Sequence, residues 1–111
     1  MSNYLELTKD YVEAIRNNEI CLEYSRQKDM VRTQYPDLKN QIDEFRKRNY
    51  ALQNRTDPEK LFDEIDQFEK EYEEFRKNPI VSDFLAAELA FCRLYQEIIG
   101  ILGEAFAKDF E

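Results

Sequence analysis

The sequence predicts an all-α protein, arranged as a five-helix bundle with a long apolar C-terminal helix. Only two glycines and three prolines occur in 111 residues, too few turn residues for an all-β fold. Apolar residues recur at steps of three and four, and each proline, at 36, 58 or 79, falls where a helix can begin. A chain of this length, 42% hydrophobic and 36% charged, is expected to form a single helical domain over 1–111.

The first two helices are predicted at 4–16 and 19–34. Asn3 and Glu6 have the spacing of a capping box, and the pair Asn17-Asn18 separates the two helices because Asn suits both ends of a helix. The residues expected to turn towards the core from the first helix are Tyr4, Leu7, Tyr11 and Ile15, flanked by Leu5 and Val12. The second helix has the weakest apolar stripe, formed by Ile20, Tyr24 and Val31.

The third and fourth helices are predicted at 37–54 and 58–77. The fourth begins either with Asp57 as the N-cap or with a Thr56/Glu59 capping box. The third helix has its stripe at Leu38, Ile42, Phe45 and Leu52, with Asn49 between, and the fourth at Leu61, Ile65, Phe68, Tyr72 and Phe75. The other side of the fourth helix is acidic, at Asp63, Glu64, Asp66, Glu69, Glu71, Glu73 and Glu74. Two interpretations stay open for it, a solvated face and a docking surface for a basic partner.

The last helix is predicted at 79–108, with Asn78 as its N-cap, and it differs from the others because it has two neighbouring apolar seams. One seam consists of Ile80, Phe84, Ala87, Phe91, Leu94, Ile98, Ile101 and Ala105. The second consists of Val81, Leu85, Glu88, Cys92, Tyr95, Ile99, Leu102 and Phe106. One seam can pack on the chain's own bundle, but the other would be a costly exposed patch on a monomer. The second seam is therefore predicted to be an oligomer or partner interface.

Four residues of this helix stand out from its apolar pattern, and a structural role can be predicted for each. Glu88 interrupts the second seam, either as a hydrated rim residue or as a specificity device paired with an Arg of the partner. Cys92 is expected to be a buried small hydrophobic residue. Gly100 and Gly103 lower helix propensity in mid-helix, which indicates close helix packing or a kink.

The residue inventory argues against catalysis and against a resident metal. The chain has no His, the commonest general base and metal ligand. Two Cys without His cannot complete a zinc site within one chain, and a di-iron bundle would need Glu-x-x-His pairs. Adjacent carboxylates such as Glu73-Glu74 point to different sides of a helix. We therefore expect no enzyme, no catalytic residue and no mononuclear metal site, with a metal-dependent hydrolase using two carboxylates as the rival class.

The net charge of −8 is unfavourable for binding nucleic acid. The only basic cluster is Arg46-Lys47-Arg48 with Arg55, expected to be solvated, and a contact to RNA or to an acidic partner is the alternative. The N-terminus has no signal-peptide pattern, and the longest apolar run, 98–103, is far shorter than the roughly 20 residues of a membrane span. A cytoplasmic protein with reduced thiols is expected.

The sequence resembles the YlbF/YmcA family of small bacterial helical regulatory proteins. The segment 78–89, which reads NPIVSDFLAAEL and precedes a long apolar helix, carries most of the resemblance. Pro36-Asp37-Leu38 and the segment 42–46 are similar as well, as is the order of five helices. The resemblance extends over nearly the whole chain, although none of its motifs is catalytic.

The resemblance implies a non-enzymatic protein that self-associates or pairs with family members. It also implies a complex with a YaaT-like protein that directs the endoribonuclease RNase Y in mRNA processing and affects competence, sporulation and biofilm formation. Some such complexes hold iron–sulfur clusters, partly through cysteines of C-terminal tails. This chain ends in AKDFE without a Cys, so no cofactor is expected, and neither Cys21 nor Cys92 is assigned as a ligand.

The resulting hypothesis is a protein-interaction subunit that regulates RNA processing. The alternative is a homo-oligomeric structural or chaperone-like bundle with no role in RNA processing. Direct RNA binding through the basic cluster ranks third because of the negative net charge.

Overall fold

The computed structural model describes residues 3–54 and 58–111. These residues form α-helices α1 (Tyr4–Arg16), α2 (Glu19–Gln34), α3 (Pro36–Gln53), α4 (Pro58–Glu71), α5 (Glu73–Lys77) and α6 (Pro79–Phe106), followed by a 3₁₀ helix (Ala107–Phe110). No strand occurs in the described parts of the chain. The all-α class and the long C-terminal helix are therefore confirmed.

The structure has two helices, α4 and α5, where one continuous helix over 58–77 was predicted. The prediction is wrong at a single residue, Tyr72, which separates them. Tyr72 has φ −101° and ψ 12°, which lies outside the helical region. The amide of Tyr72 still donates to the carbonyl of Phe68 at 3.1 Å, and that of Arg76 donates to the carbonyl of Tyr72 at 2.9 Å. The break is shallow because these bonds persist, and the apolar stripe continues across it. The last helix also ends two residues earlier than predicted, since the 3₁₀ helix follows it.

Asparagine side chains begin three of the helices. Asn3 Oδ1 accepts a hydrogen bond from the amide of Glu6 at 2.9 Å, which forms half of the predicted capping box. Asn18 Oδ1 accepts from the amide of Ile20 at 2.8 Å, and Asn78 Oδ1 accepts from that of Ile80 at 2.9 Å. The Asn78 cap is thus confirmed. The cap predicted at Thr56 or Asp57 lies outside the described residues.

The chain divides into two compact units whose boundaries fall inside α2 and α6. The first unit contains the residues up to Lys28 and those from Phe84 to Glu111. Its buried residues are Tyr24, Phe84 and Ala87. The Tyr24 ring lies edge-on to Phe84 at 6.0 Å between centroids and 4.8 Å from the ring of Phe91.

The second unit, Asp29–Asp83, has the larger buried set. Its core contains Val31, Ile42, Phe45, Phe68 and Val81, of which Val31 and Ile42 are each only 1% exposed and Val81 is fully buried. The Phe45 ring stacks on Phe68 at 5.3 Å. The stripes predicted for the third and fourth helices supply most of this core. Whether the two units form one domain over 1–111 stays a prediction.

The prediction that one side of α1 packs into the core is wrong. None of the residues of α1 is buried, and Tyr4 is 87% exposed, Leu7 56% and Tyr11 52%. Only Ile15, in the last turn, is half-buried. An apolar stripe shows which side of a helix avoids water, but it does not show whether the same chain covers that side.

None of the helices in residues 3–54 and 58–111 has the length and apolar character needed to cross a membrane.

Candidate functional site

Exposed apolar side chains are concentrated in the first unit. Of all the large hydrophobic residues that the structure shows as exposed, only Tyr35, Tyr50 and Phe62 lie in the second unit. The rest belong to α1, to the first turns of α2 and to the C-terminal part of the chain from Leu89 onwards. Large contiguous apolar patches are uncommon on soluble monomers and mark interaction sites.

Burial decreases along α6 from its N-terminus to its C-terminus. In its first part, Val81, Phe84 and Ala87 are buried. Towards its C-terminus, the second predicted seam is about half exposed at Tyr95, Ile99, Leu102 and Phe106, with values of 59%, 48%, 49% and 54%. We call these four residues together with Cys92 the outer seam. The outer seam is apolar and is only partly covered by the described residues of the chain.

A groove of about 340 Å³ runs between α1 and α6, and three residues of the outer seam form part of its wall. Its wall on α1 contains Tyr11, Val12 and Ile15, and its wall on α6 contains Phe91, Leu94, Tyr95, Ile98, Ile99 and Leu102. Arg16 is the one charged residue of the lining, and Cys21 of α2 also contributes. The groove and the outer seam together give the first unit a continuous apolar surface, which we call the α1–α6 face.

The predicted interface residues divide into three groups. Val81 is fully buried within the chain, so it is not available to a partner and we leave it out of the surface proposed below. Leu85 and Glu88 are half-buried, and Oε2 of Glu88 is inaccessible to solvent, so the hydrated rim position does not hold for that oxygen. The remaining five residues are exposed and form the outer seam, Cys92, Tyr95, Ile99, Leu102 and Phe106. That this seam is an interface stays a prediction.

The two cysteines are free thiols in different surroundings. Cys21 is half-buried at the groove, whereas Cys92 is exposed. The prediction that Cys92 is buried is wrong for the single chain, because the side of α6 on which it lies is uncovered. No group of three acidic or cysteine side chains able to hold a metal ion occurs within the described ranges, 3–54 and 58–111.

Gly100 and Gly103 lie in open space. A Cβ atom built on either glycine would have no neighbouring atom within 4 Å, apart from the adjacent residues and the helix's own backbone. Neither glycine has a positive φ, and α6 is continuous through both. The close packing predicted for them is therefore not made within the chain, and neither glycine produces a break in α6.

The contribution of α1 to this surface is the feature that sequence reasoning missed. The signal was present, because α1 has a second apolar flank at Leu5 and Val12 next to its main stripe, as α6 has. Both flanking residues are exposed, at 73% and 41%. Two neighbouring apolar seams on a helix predict two sets of packing partners. The same reasoning as for α6, applied to α1, predicts that one side of α1 stays uncovered by the chain itself.

The acidic side of the predicted fourth helix is mainly solvated. Glu64 is half-buried, whereas the other six acidic residues are exposed. Asp66 pairs with Lys70 at 3.2 Å, and Glu73 and Glu74 lie 3.5 Å from Lys77, so part of the charge is neutralised locally. Exposed pairs of this kind contribute little to stability.

Of the predicted basic cluster, Arg55 lies outside the described residues, and Arg48 has a defined structural role. Its Nη1 donates to Oε1 of Glu71 at 2.8 Å, and its Nη2 donates to Oε2 of Glu71 at 2.9 Å. Nη1 also donates to the hydroxyl of Tyr72 at 3.0 Å, and the guanidinium lies 5.5 Å from the Phe68 ring centroid. Arg48 therefore fixes the break between α4 and α5 against α3. The hydrogen bonds from Arg48 hold the pKa of Glu71 below its ordinary value, and those to Glu71 and Tyr72 raise the pKa of Arg48.

Replacing Arg48 with Gln should raise the pKa of Glu71 towards the ordinary range of a glutamate. A carboxylate with a lowered pKa stabilises the fold above its unfolded-state pKa, and this contribution is lost as the pH falls through its folded-state pKa. The Arg48→Gln variant should therefore lose less stability on acidification than the wild type does. Carboxyl ¹³C NMR titration of Glu71 measures the change, and Lys47→Gln controls for the loss of one positive charge. An unchanged Glu71 titration in Arg48→Gln would contradict this account.

A comparison with protein families identifies the family of the chain. A protein-family model described as "Control of competence regulator ComK, YlbF/YmcA" matches residues 4–106. No curated protein and no solved structure is found to match the chain. The matched range contains the six α-helices of the described residues, including both helices of the α1–α6 face.

Proposed function

Because the chain belongs to the YlbF/YmcA family of competence-control proteins, we propose that it is a non-enzymatic regulatory subunit that acts by binding other proteins. The observation that carries this proposal is the exposed α1–α6 face. The helix α1 has 13 residues and contributes to this face, but none of its side chains is buried. Ordering residues costs conformational entropy that burial must offset. A partner that covers this face would supply the missing burial.

The proposed role is the control of an endoribonuclease in mRNA processing, in a complex with YaaT-like and RNase Y-like proteins. The description of the family as a control of a competence regulator supports the regulatory part of this role. The resemblance noted from the segment 78–89 supports the link to RNA processing, sporulation and biofilm formation. The chain would influence which transcripts the endoribonuclease cleaves, or how fast it cleaves them. The cleavage itself would be catalysed by the endoribonuclease.

The charges of the chain favour a protein partner over RNA. The acidic residues on α4 and α5 give a negative surface that would steer a basic protein towards it. On the basic side, the guanidinium of Arg48 is bound bidentately by Glu71, so its donors are engaged within the chain. We therefore rank direct RNA binding below the adaptor role. A self-associating structural or chaperone-like bundle is the second candidate, and the apolar α1–α6 face favours it equally.

Affinity purification of the tagged chain from its host tests the three functions. The wild type should recover YaaT-like or RNase Y-like proteins, and these should remain when half of the lysate is treated with a ribonuclease. An Ile99→Asp variant alters the outer seam and should reduce the recovery. Phe62→Asp, on α4 at a residue that is 80% exposed, is the matched control. It should leave the recovery of partner proteins unchanged.

Two outcomes would contradict the adaptor role. Recovery of the chain alone, with no co-purifying protein, would favour the structural bundle. Partners that disappear after ribonuclease treatment would favour RNA binding.

A further inference from the structure

We propose that the groove between α1 and α6 binds a fatty acid, with the single aliphatic chain in the groove and the carboxylate paired with Arg16. This ligand site goes beyond the proposed regulatory role, which requires only a protein partner on the α1–α6 face. Every residue of the lining belongs to the first compact unit of the chain.

The groove has a floor and two rims, which distinguishes it from a flat apolar face. The floor is formed by half-buried side chains of α1, α2 and α6, namely Ile15, Cys21, Phe91, Leu94 and Ile98. The rims are formed by exposed side chains, namely Tyr11 and Val12 on α1 and Tyr95, Ile99 and Leu102 on α6. A ligand on this floor would be contacted from below and from both sides, as in most small-molecule sites.

The groove is long and narrow. Its wall on α1 extends from Thr8 to Arg16, and its wall on α6 extends from Phe91 to Leu102. At a rise of about 1.5 Å per residue, these walls are roughly 12 and 16 Å long. A volume of about 340 Å³ over that length gives a mean cross-section of roughly 20–30 Å². This is the width of one extended hydrocarbon chain, and a fused ring system or a pair of acyl chains would be too wide.

The two ends of the groove differ in charge. Arg16 is the last residue of α1 and the one charged residue of the lining. The Phe91 end of the α6 wall lies at the same end of the groove, because the Phe91 ring is 4.8 Å from the ring of Tyr24 on α2, the helix that follows α1. The opposite end of the α6 wall is at Leu102. The groove is therefore basic at the α1–α2 junction and apolar along the rest of its length.

A ligand with one anionic group and one apolar tail matches this arrangement. Within residues 3–54 and 58–111, Arg16 makes no ion pair with an acidic side chain, so its guanidinium is available to a ligand. The hydroxyl of Thr8 does not compete as a polar anchor, because it donates to the carbonyl of Tyr4 at 2.7 Å. A carboxylate accepts two parallel hydrogen bonds from a guanidinium. The fatty acid is thus oriented with its carboxylate at Arg16 and its tail towards Leu102.

A fatty acid in the groove would leave surface for a protein partner. Five exposed apolar residues of the first unit are not part of the lining, namely Tyr4, Leu5, Leu7, Ile101 and Phe106. The ligand and a partner protein are therefore expected to bind the α1–α6 face together.

Isothermal titration calorimetry of the full chain with decanoate tests the charge pairing. One decanoate per chain should bind below the micelle concentration, and decanol, which has the same tail without the charge, should bind more weakly by roughly 5-fold or more. Arg16→Gln should weaken decanoate binding by a similar factor, and Arg16→Lys should retain most of the affinity. Arg93→Gln removes a positive charge from an exposed position of α6 outside the lining and is the matched control.

Filling the groove with a large side chain tests the position of the tail. Val12→Trp places an indole ring on the α1 rim and should abolish decanoate binding. Leu7→Trp places the same ring on α1 at a residue that is 56% exposed and outside the lining, and it should leave the binding unchanged. Both positions are exposed, so circular dichroism should show unchanged helicity in both variants.

Four results would overturn this inference. They are the absence of decanoate binding below the micelle concentration, equal binding of decanol and decanoate, unchanged affinity in Arg16→Gln, and retained binding in Val12→Trp. The proposed regulatory role would survive any of these results if the affinity purification still recovers partner proteins. Recovery of the chain without partners, together with intact decanoate binding, would overturn the regulatory role alone.

Discussion

Replacing Ile99 with Asp should abolish the predicted self-association of the protein. Ile99 is 48% exposed in the single chain and lies at the middle of the outer seam. In the assembly its side chain would be covered, and an aspartate there would be a buried carboxylate without a partner. Leaving one buried charge unpaired costs about 3–5 kcal/mol, which corresponds to a loss of affinity of roughly 100-fold or more. Sedimentation velocity at micromolar concentration measures the loss.

The matched control for this prediction is Phe62→Asp. Phe62 is 80% exposed on α4, in the other unit of the chain, and the same introduced charge should leave the assembly intact there. Circular dichroism should show unchanged helicity in both variants, because both positions are exposed in the single chain. If Ile99→Asp sediments like the wild type, the outer seam is not an interface.

Replacing Phe45 with Ala should produce the largest loss of folding stability. Phe45 is 4% exposed, and its ring packs against Phe68 at 5.3 Å, Tyr72 at 5.0 Å and Phe75 at 5.6 Å between centroids. The guanidinium of Arg76 also lies 5.0 Å from the Phe45 ring centroid. Removing a buried phenylalanine costs the lost burial and leaves a cavity, together about 3–5 kcal/mol. Much of the stability of a domain of this size would be lost.

Urea unfolding followed by circular dichroism measures this change in the free energy of unfolding. Phe62→Ala removes the same side chain from an exposed position and should change the free energy by about 0.5 kcal/mol or less. A similar loss in both variants would mean that the aromatic cluster of the second unit is not the core of the protein.

The helices could be predicted from the sequence because the signals that determine them are local. Asn78 followed by Pro79 sets the start of α6 wherever the rest of the chain lies, and the structure has the predicted cap. The break at Tyr72 could not be predicted in this way. It coincides with contacts from Arg48, more than 20 residues earlier in the chain, and no local pattern contains that information.

The candidate site was predicted only in part, because periodicity is also a local signal and does not show which elements pack together. The double seam of α6 indicated more apolar surface than one chain can cover, and the outer seam is exposed. Periodicity alone did not show that Val81, at the start of the same seam, is covered by the chain itself. It also assigned Tyr4 and Leu7 of α1 to the core, because a stripe identifies an apolar side without identifying what packs on it.

The exposure of α1 has a consequence for the lifetime of the protein in the cell. A helix that buries no side chain is opened at a low free-energy cost, and partner binding raises that cost by mass action. A copy that has not found its partner would therefore present apolar, easily unfolded chain to chaperones and proteases. If the proposed regulatory role is right, degradation should remove unassembled copies selectively, so that the abundance of the protein follows the supply of its proposed partners.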